Sequence, residues 1–231
     1  MGFFSNRYEC EGAGLPMPEG GIRRYLLLLV THFWKLIGLN LLFAFFSLPV
    51  ITFPAALCAM NRVCMLLIRN GYCFLWHDFI EEFRRSFVRS LLPAVFFPLL
   101  VFFGYYAMSL GLTNAELPLW SMIFWAIGIG GTVVAVCWGE YFFALVALLD
   151  LGNKGVLKNA WLLCMIQPQK AFLILGIVMV AAMVTALLIP ISILLIICLL
   201  PVLVQYSVCF FVHEAATAYV ILPYEDNASN K

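Results

Sequence analysis

Hydrophobic positions along this chain form long unbroken blocks, and polar residues are confined to short segments between them. From Ala171 to His213, 43 residues carry no Asp, Glu, Lys or Arg, with Pro190 near the middle. Ser90 to Ala115 is another such run of 26, and Leu117 to Leu149 gives 33 broken only by Glu140; Gly111, Asn114 and Pro118 mark the turn between them. Tyr25 to Ile68 covers 44 residues interrupted only by Lys35 and Arg62, with Pro49 and Pro54 at its centre. A membrane-crossing helix takes about 20 apolar residues, because a hydrocarbon core of roughly 30 Å is covered at 1.5 Å per residue. The blocks therefore predict three helical hairpins and six crossings, five of them strong. The sixth, from Pro54 to Ile68, is only 15 residues long, so it either thins the bilayer or lies within protein. A β-barrel is excluded, because barrel strands alternate apolar and polar positions and these runs are apolar on every face.

The segments between hairpins, 69–89 and 150–170, have a different pattern. In Trp76 to Arg89 the apolar positions 76, 79, 80, 83, 87 and 88 recur at helical spacing, with polar residues opposite. This is an amphipathic helix in the interface plane, running into the next span near Pro93. Val156, Leu157, Ala160, Trp161 and Cys164 make a similar stripe in the second segment, with Pro168 before the next span. The predicted fold is an all-α polytopic transmembrane bundle with two cytoplasmic amphipathic helices. Residues 1–21 are expected to be a flexible cytoplasmic tail, 22–222 a single integral membrane domain, and 223–231 a cytoplasmic C-terminal tail.

Composition sharpens the picture. The chain is 65% hydrophobic and 11% charged with a net charge of +1, against about half apolar and a quarter charged in soluble domains. That balance offers no basic field for nucleic acid. Position makes the charge informative: seven of the thirteen Lys and Arg residues fall in the two inter-hairpin segments, and the turns inside the hairpins carry none. The positive-inside rule then places both termini and both segments in the cytoplasm of a cell-membrane protein.

Charged groups in hydrocarbon are costly, so each is a candidate for function. His32, Lys35, Arg62 and Glu140 qualify as an intramembrane polar site. A straight helix puts Glu140 and Lys35 each roughly 15 Å deep and Arg62 roughly 10 Å, and a pair of Glu140 with Lys35 or Arg62 is expected. Equally open is a Glu140 that ties hairpins together, or is protonated, with no transport role. On the first amphipathic helix, Asp78, Glu81, Glu82, Arg84, Arg85 and Arg89 form a mixed-charge face suited to a protein partner, and Lys154, Lys158 and Asn159 form the polar face of the second; interfacial anchoring is the other reading of both helices. Gly131, Ala135 and Gly139 would let another helix approach closely, within the chain or in a homo-oligomer.

Metal, cofactor and catalytic motifs are missing. The eight cysteines form no Cys-x-x-Cys pair, and His213-Glu214-Ala-Ala-Thr217 ends in Thr where a zinc motif needs a second His. No Walker lysine and no Gly-x-Ser-x-Gly occur. No cofactor, metal or enzymatic activity is expected.

The stretches His32-Phe-Trp-Lys35-Leu-Ile-Gly-Leu-Asn40, Ser47-Leu-Pro49-Val-Ile-Thr52 and Asp78-Phe-Ile-Glu81-Glu82-Phe83-Arg84-Arg85-Ser86-Phe87 resemble the YesL family. Met1-Gly-Phe-Phe-Ser-Asn6 and Leu157-Lys158-Asn159-Ala-Trp161 are similar to it as well. These are multipass membrane proteins of unknown function, mainly from Gram-positive bacteria and often encoded near carbohydrate importers and glycan-degrading enzymes. The resemblance implies an accessory or scaffold component beside sugar uptake, with a sugar importer complex as partner, and it assigns no site residue. The rival is a small transporter with a polar site around Lys35, Arg62 and Glu140.

Overall fold

The computed structural model describes residues 21–113, 118–149, 151–187, 199–217 and 219. The predicted turns at Asn114 and Pro190, Cys10, Cys198 and nearly all of both tails lie outside the described residues. Eight helices are seen: α1 (Gly21–Thr31), α2 (Phe33–Ser47), α3 (Phe53–Asn70), α4 (Leu75–Thr113), α5 (Pro118–Leu148), α6 (Asn153–Ile166), α7 (Pro168–Leu187) and α8 (Leu200–Ala216), with one 3-10 turn at Val50–Thr52. No strand occurs among the described residues. The protein is an all-α bundle of membrane-crossing helices.

Among the described residues four stretches are long and apolar enough to cross a membrane alone: Val50–Asn70, Leu75–Thr113, Leu119–Leu148 and Pro168–Leu187. The first predicted span is not straight. It is α1 and α2, bent by 72°, and the break follows Thr31, whose hydroxyl donates back to the Leu27 carbonyl at 2.8 Å. The α8 helix is a shorter apolar one of 17 residues.

The α3 helix, the shortest of the crossings expected from sequence but a span of 21 residues once the 3-10 turn is counted, is the centre of the bundle. Two thirds of its span window (67%) is buried, against 22% for α4 and 11% for α5 and α7. Ala55, Ala56, Cys58, Ala59 and Cys64 are fully enclosed, and small side chains let α2, α4, α5 and α8 all pack against this one helix. A helix sheltered by protein need not be apolar on every face, which is why α3 carries Asn61 and Arg62. It stops at Gly71, whose left-handed φ of 74° suits a residue without Cβ and lets its N–H reach the Leu67 carbonyl at 3.1 Å.

The first amphipathic segment and the following span form one continuous α4 of 39 residues, with Pro93 and Pro98 inside it. At 1.5 Å per residue it is roughly 58 Å long, far more than a bilayer core, so its first turns project beyond the hydrocarbon. It packs against α5 at glycines. A Cβ on Gly104 would lie 2.2 Å from Thr132 Oγ1 and 3.0 Å from the Gly128 carbonyl, and one on Gly128 would lie 2.7 Å from the Gly104 carbonyl. The seam expected at Gly131, Ala135 and Gly139 is not a single one: Gly131 faces open space, whereas the Cβ position of Gly139 lies 3.4 Å from Phe97 and Ala135 is buried.

The α6 helix is fastened to both partners of that hairpin. Arg89 Nε donates to Asn153 Oδ1 at 2.6 Å, and Asn153 Nδ2 donates to the Arg89 carbonyl at 2.9 Å. Arg89 also donates to the Leu151 carbonyl. Trp138 Nε1 donates to the Leu157 carbonyl at 3.1 Å, and its ring meets Trp161 at 5.0 Å.

Candidate functional site

The four residues proposed as one intramembrane site stand in different places. Lys35 is exposed, and it lies level with the α3–α4 connection. Gly38, on the same helix, faces Leu75, and Lys35 is near enough to Cys73 to act on it electrostatically. The 72° bend is the physical reason, since depth counted along a straight helix does not apply beyond it. His32 sits at the bend itself. Glu140 is not ion-paired with Lys35 or Arg62; its Oε2 accepts from Gln205 Nε2 at 3.0 Å. Arg62 Nη1 donates instead to the Ala147 carbonyl at 2.9 Å, at the end of α5, where backbone acceptors have no helical partner.

Arg62 belongs with the charged face of α4. It lines a crevice of about 150 Å³ together with Leu66, Asp78, Glu81, Glu82 and Arg85. The α3 helix supplies Arg62 and Leu66 one turn apart, and the first turns of α4 supply the rest at i, i+3, i+4 and i+7 spacing, which puts them on one helix face. Glu82 is the floor: its side chain is 4% exposed and its Oε2 lies 3.7 Å from Arg85 Nη1, while Ser86 Oγ donates to its other oxygen. Asp78 is partly engaged in capping the start of α4, as its Oδ2 accepts from the Phe74 N–H at 2.8 Å, much as the returning half of a capping box does.

At the outer edge, His77 Nδ1 lies 3.4 Å from Asp78 Oδ1 and 3.7 Å from Glu81 Oε2. These are the groups among the described residues whose donor atoms, all within 4.8 Å of one another, could share a metal ion. No spacing motif announces them, because a helix face and not a Cys or His signature brings them together. Arg84 is exposed, and Arg89 is used inside the chain to hold α6. On α6, Lys154 and Lys158 are exposed and Asn159 is half-buried; Asn153, not singled out from sequence, makes the tie to α4.

The basic residues gather at one end of the bundle. Arg24 Nη2 donates to the Ile68 carbonyl at 3.2 Å, so α1 begins beside the end of α3. His213, on α8, is near enough to Arg24 and Arg69 to feel both charges, and Lys170 pairs with Glu214 at 3.0 Å.

These features define a polytopic α-helical membrane protein with a charged crevice at the basic end. Residues 36–108 match the model of a family described as "Protein of unknown function, DUF624". The matched stretch runs from α2 to Met108 in α4 and contains every residue that lines the crevice. No curated protein matches the chain, and no solved structure does.

Proposed function

We propose that this protein is an accessory or scaffold subunit, not an enzyme, and that it docks a partner at the crevice between α3 and α4. The observation that carries this is the size and charge of the crevice. At about 150 Å³ it is roughly half the smallest usual small-molecule pocket of about 300 Å³, yet five charged side chains line it. Such a space takes one charged side chain of a partner protein better than a sugar. Tyr72, Phe74 and Trp76, in the connection before α4 and at its start, are exposed, and aromatic residues with charged ones are the composition of protein interfaces. The partner we favour is a sugar importer complex. Support for that is the YesL resemblance, with which the DUF624 match over residues 36–108 agrees. The gathering of basic residues at one end supports an orientation with that end, and both termini, in the cytoplasm of a cell-membrane protein.

The second reading, a small transporter, is favoured by one observation, a set of unpartnered buried polar atoms around Glu140. It would operate without Lys35 or Arg62, which the fold places elsewhere.

The test is affinity capture of the tagged full chain from native membranes, with Glu81→Lys and Arg85→Glu combined as the comparison. Both residues are exposed, but Arg85 pairs with the buried Glu82, so the unfolding midpoint is measured for both chains, and a double variant that loses it is replaced by Glu81→Lys alone. Stoichiometric recovery of an importer subunit, reduced about tenfold or more by the double variant, supports docking at the crevice. Recovery of no stoichiometric partner, or equal recovery by both chains, overturns it.

A further inference from the structure

A buried polar atom with no partner is more costly in a membrane bundle than in a soluble core, since no water reaches it from the lipid side. Among the described residues such atoms concentrate on three helices that pack together: both side-chain amide atoms of Asn61 on α3, the Tyr141 hydroxyl on α5, and Gln205 Oε1 with the Tyr206 hydroxyl on α8. Asn61 is fully enclosed and Gln205 is 7% exposed. Glu140, on α5, lies in the same region and holds Gln205 by its amide nitrogen at 3.0 Å, which leaves the amide oxygen of Gln205 free. Cys209 Sγ donates to the Asn61 backbone carbonyl at 3.7 Å. Cys209 follows Gln205 by one helical turn on the same face of α8, so Gln205 lies within about a turn of the Asn61 backbone across the α3–α8 contact. The Glu140 carboxylate is near enough to act electrostatically on Cys209. Among the described residues no ion pair joins a cation to Glu140: Arg62 is bound to the Ala147 carbonyl and Lys35 is exposed at the bent first span.

We propose that Glu140, Gln205 Oε1 and Asn61 Oδ1 form an intramembrane site for a small monovalent cation, with sodium as the ligand. The donor set is all oxygen, which selects hard cations over soft metals. One carboxylate with two neutral amide oxygens matches a single positive charge and leaves a divalent ion undercompensated. Oxygen-lined cation sites near the midplane, where helices of a bundle meet, are how membrane proteins couple to ion gradients. This site is separate from the crevice and stands whether or not a partner docks there.

Thermal unfolding of the full chain in detergent, with sodium chloride exchanged for choline chloride at constant ionic strength, tests the site. A ligand that binds only the folded chain shifts the folding equilibrium by a factor of 1 + [L]/Kd, about a hundredfold at a hundred times Kd. Sodium is expected to raise the wild-type midpoint until it saturates. Glu140→Gln keeps an oxygen for the Gln205 amide and removes the charge, so its midpoint should not respond, and Asn61→Leu should respond less than wild type. Calorimetric titration of sodium into the wild-type chain covers the case in which Glu140→Gln does not fold: one site with saturable heat supports the proposal, and no heat overturns it. A wild-type midpoint insensitive to sodium overturns it, since Glu140 is then protonated or bridged by water. An equal rise in wild type and Glu140→Gln also overturns it, as a salt effect with no site.

Discussion

Replacing Gly104 by alanine should destabilise the bundle, although glycine to alanine in a helix is ordinarily a gain of roughly 1 kcal/mol. The new methyl would stand 2.2 Å from Thr132 Oγ1 and 3.0 Å from the Gly128 backbone carbonyl. Thr132 cannot simply turn away, because its hydroxyl donates to that same carbonyl at 2.7 Å; moving it forfeits a hydrogen bond of about 1 kcal/mol. The carbonyl is fixed in α5, so the helices must separate, and overpacking of this kind costs about 1–3 kcal/mol. Setting the lost bond against the propensity gain leaves a net loss of about 1–3 kcal/mol. For a chain of this size that is a fall in unfolding midpoint of about 3–10 °C, read by tryptophan fluorescence in detergent. Gly130→Ala is the control, since nothing lies within 4 Å of its Cβ position, and its midpoint should equal or exceed wild type. Adding Thr132→Ala to Gly104→Ala should recover part of the loss, with a coupling of about 0.5–3 kcal/mol. A Gly104→Ala chain as stable as wild type, or a Gly130→Ala chain equally damaged, would show that α4 and α5 do not meet at these glycines.

Two further outcomes follow from contacts outside the spans. Arg89→Gln and Asn153→Ala should each cost about 1.5–3 kcal/mol, the range for hydrogen bonds to a charged group, and together little more than either alone. Limited proteolysis near Leu151 should accelerate in both, and additive losses would refute the reciprocal clamp. Burial pushes the Cys73 thiol up to about 11, with the nearby Lys35 opposing. In a chain with Cys10 and Cys198 replaced by serine, maleimide labelling at Cys73 should rise about tenfold per pH unit up to pH ~10, because the thiolate is the nucleophile. A plateau near the ordinary thiol value of about 8.5 would contradict the burial of Cys73 beside α4.

The two halves of the candidate chemistry differed in how far they could be read along the chain. Asp78, Glu81, Glu82 and Arg85 share a face by helical spacing, which is local and visible, and the structure puts them on one wall of the crevice. Arg62, which completes it, falls with Glu140 in the sequence because both are charges in apolar runs. Spacing within a run reports depth, not direction, and Arg62 turns toward α4 while Glu140 turns toward α8. Lys35 differs for another reason: the helix breaks by 72° between Thr31 and Phe33, and hydropathy does not register a bend. The sequence does not distinguish Gly104 and Gly128, which meet across α4 and α5, from Gly131, which faces open space, since small residues on neighbouring turns look alike until the facing helix is known.

Hydropathy is a property of each residue taken singly, so the sequence by itself determined the solvent, the positions of the apolar helices and the segments that carry the basic residues. Which helix lies at the centre is a property of pairs of faces. From sequence α3 ranks as the weakest crossing, yet the fold encloses it, because four helices surround its small side chains and relieve it of facing lipid. Only the tertiary structure could decide that, and with it the partners of Arg62, Glu140 and Arg89, since each partner lies on a different helix from the charge it meets.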